Sequence, residues 1–99
     1  MDAAYYEDLR GELFSLLIML EDRLGSQDAR QAHEFIDVDE YGLALEQMAG
    51  VLAAAGTPVT DQERDDMLAL NCKMQMDARV PGALQSCPRA GSPPAAGHP

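Results

Sequence analysis

The chain has no tryptophan, five aromatic residues and only two cysteines, and its 7 Lys and Arg stand against 17 Asp and Glu over 99 residues, for a formal charge of -10. Each scarcity excludes something. Without a basic stripe there is nothing to neutralise nucleic-acid phosphates, and without a basic face nothing to draw the chain onto an anionic membrane, so neither is an expected partner. The longest near-continuous apolar run, Leu13 to Leu20 broken by Ser15, is far short of the roughly 20 residues a bilayer span requires. The N-terminal Met-Asp-Ala-Ala-Tyr-Tyr-Glu-Asp offers no basic segment followed by an apolar stretch, so no secretory signal is expected and the expected location is cytoplasmic. Cys72 and Cys87 belong to no CxxC or Cys/His pattern, which argues against structural zinc; in a reducing cytosol both are expected as free thiols.

Composition changes near Asp77. Residues 77–99 hold five of the six prolines and three of the eight glycines, with no aromatic residue. Pro lacks a backbone donor, and the intervening Gly, Ser and Ala bury little apolar area to offset the ordering entropy. The reading is therefore a helical domain over residues 1–77 and a disordered tail over residues 78–99. Asp77, Arg79 and Arg89 give the stretch from residue 77 a charge of +1, so residues 1–76 carry -11, from 16 acids and 5 bases.

Within the body the apolar spacing is helical and no alternating stretch argues for a strand, so the expected class is all-α. Leu9, Leu13, Leu16, Leu20 and Leu24 recur at spacings of four and three, predicting a helix from about Tyr5 to Leu24 with Gly25 as its stop. Phe14, Leu17, Ile18 and Met19 widen its apolar arc, enough for several neighbours or for a homodimer through this first helix. Ser26 or Asp28 is expected to cap a second helix ending near Ile36, and Asp37 or Asp39 a third, carrying Tyr41, Leu45, Met48, Leu52 and Ala55 up to Gly56. Thr60 with Glu63 predicts a capping box opening a fourth helix, its inner face Met67, Leu70 and Met74. Four such helices with short loops predict a compact four-helix bundle.

Little in this body points to catalysis. His33 is its only histidine, with no nucleophile in sequence for it to activate, and no phosphate loop, dinucleotide fingerprint or HExxH is present, so no enzyme and no cofactor are expected. Asp37-Val38-Asp39-Glu40-Tyr41-Gly42 begins like a calcium loop, but Tyr41 occupies its fifth position and Met48 stands where a bidentate Glu must close the shell. No metal site is expected. The acids nevertheless stand out: Glu34, Asp37, Asp39, Glu40 and Glu46 fall within thirteen residues that contain no Lys or Arg. Such a run is either a solvated face or a surface that steers a cationic partner.

The segments Glu34-Phe35-Ile36 and Glu40-Tyr41-Gly42-Leu43-Ala44-Leu45-Glu46 resemble the core motif of small bacterial immunity proteins, the Maf-type and contact-dependent-inhibition kind. Thr57-Pro58-Val59-Thr60 and Leu68 to Met76 fit the later part of the pattern. The resemblance covers about residues 29–77; the first helix fits only as a generic amphipathic helix and the tail does not fit. It implies a non-catalytic antitoxin that binds one cognate protein toxin, a nuclease with a basic cleft being the natural target of an acidic inhibitor. On that implication Glu34, Asp37, Asp39, Glu40 and Glu46 are contact residues and Tyr41 an aromatic anchor, although its place at the start of an apolar helix face argues more strongly for core packing. Leu43, Ala44 and Leu45 are expected to pack. The alternative reading is a dimeric helical adaptor or regulator.

Overall fold

A computed structural model describes residues 3–89. These residues form five α-helices: α1 (Ala3–Leu24), α2 (Ser26–Asp37), α3 (Tyr41–Ala55), α4 (Asp61–Lys73) and α5 (Arg79–Gln85). Among them there is no strand, only an isolated parallel bridge between Val59 and Arg89. The all-helical class holds; the helix count is five and not four.

The core follows the leucine spacing. Leu9, Leu13, Leu16, Leu20 and Leu24 of α1 are all buried, and they meet Tyr41, Leu45, Met48 and Leu52 of α3 in one cluster. Helix α3 is central and touches each of the other four, whereas α2 contacts only α1 and α3, and α5 only α3 and α4. Ala44 and Ala49 on α3 are fully buried, small enough to let the surrounding backbones approach. Filling such a core with leucines contributes heavily: truncating one of the fully buried ones to Ala costs about 2–5 kcal/mol.

The ends of the helices divide into those legible from sequence and those not. Gly56 takes a left-handed φ of 63° after α3, as its position at the end of the apolar pattern predicts. Thr60 and Glu63 form the reciprocal capping box: Thr60 Oγ1 accepts from the Glu63 amide at 3.0 Å and Glu63 Oε1 from the Thr60 amide at 2.9 Å. The expected caps of α2 and α3 are different. Gly25, with φ of 87°, precedes α2 without any side-chain cap, and Asp28 instead accepts from Gln47 Nε2 of α3 at 3.1 Å. Neither Asp37 nor Asp39 caps α3; Glu40 occupies that position and makes no side-chain cap bond.

Helix α5 corrects the expectation of a disordered tail from residue 78. Pro81 lies in its first turn, where a missing N–H is tolerated. Val80 and Leu84 are buried, as is Cys87 beyond its end. Arg64 of α4 donates to the carbonyl of Leu84 and, at 3.0 Å, to that of Cys87, placing a cation against the last turn of α5. The Val59 amide donates to the Pro88 carbonyl at 2.9 Å. A segment with poor intrinsic helix propensity is thus held by tertiary contacts. The remainder of the expected tail, residues 90–99, lies outside the described residues.

Candidate functional site

The acidic segment forms the end of α2, a three-residue turn and the first half of α3. The turn reverses direction through Asp39, which adopts a left-handed φ of 65°, a region that Asp tolerates better than most side chains. Its backbone is closed by the Asp39 amide on the Ile36 carbonyl at 3.1 Å and the Glu40 amide on the Phe35 carbonyl at 2.8 Å. From below, the Tyr41 hydroxyl donates to Asp39 Oδ1 at 3.1 Å while its ring is buried. Tyr41 therefore anchors the turn from within the core.

The apparent lack of basic residues disappears in three dimensions. Arg10, on α1, lies 3.4 Å from Asp37 and 3.5 Å from Asp39, and its Nη1 donates to the Ile36 carbonyl at 2.9 Å, at the C-terminal end of α2. That position also suits the helix dipole. Its guanidinium lies 5.3 Å from the centre of the Phe14 ring. His33 Nδ1 reaches Asp37 at 3.1 Å, and Arg79 of α5 lies 3.8 Å from Glu46.

The five carboxylates consequently separate. Asp37 and Asp39 share Arg10 and are tied to the turn; Glu46 is half-buried and faces α5. Glu34 and Glu40 are exposed and have no ion pair among the described residues. Two residues missed by sequence reasoning flank them: Val38, 66 % exposed, and Leu43, 44 % exposed. Leu43 was expected to pack with Ala44 and Leu45, which are fully buried, but it points outward on the opposite side of α3. An exposed branched apolar residue inside an acidic turn is the available signal, and Val38 carries it in the sequence itself. The surface can therefore offer two unneutralised carboxylates beside two apolar side chains on a pinned backbone.

Elsewhere the charges are used differently. Arg23 and Glu63 form an ion pair between α1 and α4, with Arg23 Nη1 donating to Glu63 Oε1 at 2.7 Å and the Glu63 side chain only 5 % exposed. The Arg23 hydrogen bond holds the Glu63 carboxyl below the usual carboxylate range, and the same bond raises the Arg23 guanidinium further. Burial raises the Cys87 thiol, making it a poor nucleophile; Cys72 and Cys87 are both free thiols. Among the described residues no group of three or more His, Cys, Asp or Glu is placed to hold a metal ion, and no helix is long and apolar enough to cross a membrane. Comparison with protein-family models, with curated proteins and with solved structures finds no match to this chain.

Proposed function

We propose that the chain is a cytoplasmic immunity protein that binds and neutralises a cognate basic toxin domain, a nuclease being the best chemical fit, through the turn between α2 and α3. The observation that carries this reading is the pairing of exposed, unneutralised Glu34 and Glu40 with exposed Val38 and Leu43 on a turn locked by Arg10, Asp39 and Tyr41. Carboxylates supply steering and register, apolar side chains supply burial, and a preorganised backbone loses little entropy on binding. In this arrangement Glu34, Val38, Glu40 and Leu43 touch the partner. Asp37 and Asp39 contribute through the turn's shape and field, Tyr41 supports it, and Glu46 lies at the rim. Inhibition is by occupation of a basic cleft or its edge, without catalysis.

The experiment is coexpression with the C-terminal domain encoded by the adjacent gene, followed by affinity measurement for the native chain and for Glu34→Lys/Glu40→Lys across a salt series. The reading predicts protection of the cell by the native chain, tight salt-dependent binding, and loss of both in the variant. Unchanged affinity and salt slope would remove the acidic turn from the mechanism, and an adjacent gene with no toxic product would remove the immunity role itself.

A further inference from the structure

Asp37 is the last residue of α2, where a carboxylate has the wrong sign for the negative end of the helix dipole, and two groups from different helices answer it. Arg10 of α1 lies 3.4 Å from Asp37 Oδ1, and His33 Nδ1, one turn back along α2, lies 3.1 Å from Oδ2. Phe14 touches both partners: the Arg10 guanidinium is 5.3 Å from its ring centre, and the His33 ring packs edge-to-face against it at 5.1 Å. One carboxylate therefore serves a permanent cation and a titratable group.

The two partners are not equivalent. Arg10 donates to the Ile36 carbonyl at 2.9 Å and also reaches Asp39, so it stays docked on the turn whether or not it holds Asp37. His33 has Asp37 as its one polar partner among the described residues. A neutral imidazole has one N–H and one bare nitrogen, whereas the cationic ring donates from both, so a proton makes Nδ1 a charge-assisted donor to Asp37. His33 and Asp37 are each about half exposed, open to proton exchange with water. The other charges near His33 are Arg30 and Glu34 on α2, and Glu21 and Asp22 of α1 on the groove that His33 borders. Side chains of those kinds ordinarily hold their charge between about pH 5 and 8, the interval in which an imidazole changes its own. Helix α3, the other element packed on α2, brings no ion pair or hydrogen bond to His33 among the described residues.

We infer that His33 is a proton-operated latch on the turn between α2 and α3: on gaining a proton it takes Asp37 as its own ion-pair partner and draws that carboxylate off Arg10, which keeps the Ile36 carbonyl and Asp39. The proton comes from solvent, and the one covalent bond formed is the new N–H. Asp37 and Asp39 against Arg10 leave this side of the turn at -1 with His33 neutral and at zero with it charged. The latch needs only this chain. Its consequence, a surface less attractive to a basic partner in acid, rests on the immunity reading.

The test is NMR on the isotope-labelled full chain between about pH 5 and 8, following the His33 ring and the Arg10 Nε–Hε signal. The Arg10 signal is expected to move with the same midpoint as the His33 ring. Its acid limit is expected to approach the position it holds in Asp37→Asn, which offers Arg10 no carboxylate to lose. In His33→Gln the movement of the Arg10 signal is expected to disappear. Three results each overturn the inference: an Arg10 signal that stays still while His33 titrates, one that moves as far in His33→Gln, or an acid limit that departs from the Asp37→Asn position. No toxin enters these measurements, so the latch and the immunity role fail separately. The native titration alone delivers the first of the three outcomes, even where a variant loses helicity.

Discussion

Arg10 and Arg23 sit towards opposite ends of α1, and each reaches carboxylates beside the end of another helix, yet they do different things. Arg23 meets one carboxylate that is almost fully buried, at hydrogen-bond distance, and that carboxylate also belongs to the capping box of α4. Arg10 meets two carboxylates at longer range, 47 % and 76 % exposed at their side chains, and its shortest bond is to a backbone carbonyl. Burial decides the outcome. Where water is excluded, removing one partner leaves an uncompensated charge and the pair becomes structural; where water screens the pair, the charges shape a surface and remain available to a partner.

The largest effect expected from breaking this contrast is in Arg23→Ala, which leaves Glu63 buried without its cation. A loss of about 3 kcal/mol is expected, a fall in Tm on the order of 15 °C, measured by calorimetry or chemical denaturation. Glu63→Gln retains an acceptor for the Thr60 amide but not the charge, so its cost depends on pH. Glu63 has its pKa lowered by folding, so its contribution is complete above the ordinary carboxylate range and disappears as pH falls through the folded value. The gap in Tm between the native chain and Glu63→Gln is therefore expected to narrow as pH drops below about 4. Acid also relieves the self-repulsion of a chain of charge -10, which is why the difference between the two proteins is the quantity to follow and not either Tm alone.

A smaller effect is expected for Thr60→Ala, about 1 kcal/mol from loss of the cap. Arg10→Ala follows at about 1 kcal/mol or less, mostly through its bond to the Ile36 carbonyl and its contact with Phe14. Double-mutant cycles sharpen the comparison: coupling of Arg23 with Glu63 is expected to exceed that of Arg10 with Asp37 severalfold, and only the second to vanish in high salt. Equal couplings would show that burial does not separate the two sites.

The leucine register of α1, the apolar face of α3 and the Thr60 capping box were legible because each is a local pattern whose cause lies within one or two turns. Helix α5 was not. Pro81 and Gly82 argue against a helix, and what holds it comes from Arg64 and Val59, about twenty and thirty residues away. The ion pairs of the acidic run were hidden for the same reason. Its bases are absent only along the chain, since Arg10 arrives from 27 residues before Asp37 and Arg79 from α5. The sequence could show a concentration of carboxylates but not which of them fold back onto a cation. Only the packed structure separates Glu34 and Glu40 from the rest and exposes Val38 and Leu43 beside them.

Under the proposed function, the turn between α2 and α3 serves recognition more than folding. Tm and affinity for the proposed toxin domain, measured on the same preparations of the native chain and of Glu34→Lys/Glu40→Lys, test this together. A Tm shift of no more than about 3 °C is expected, as for surface substitutions within about 0.5 kcal/mol, together with at least a tenfold loss of affinity that steepens at low salt. Unchanged affinity, or a large loss of Tm that accounts for any loss of binding, would contradict it.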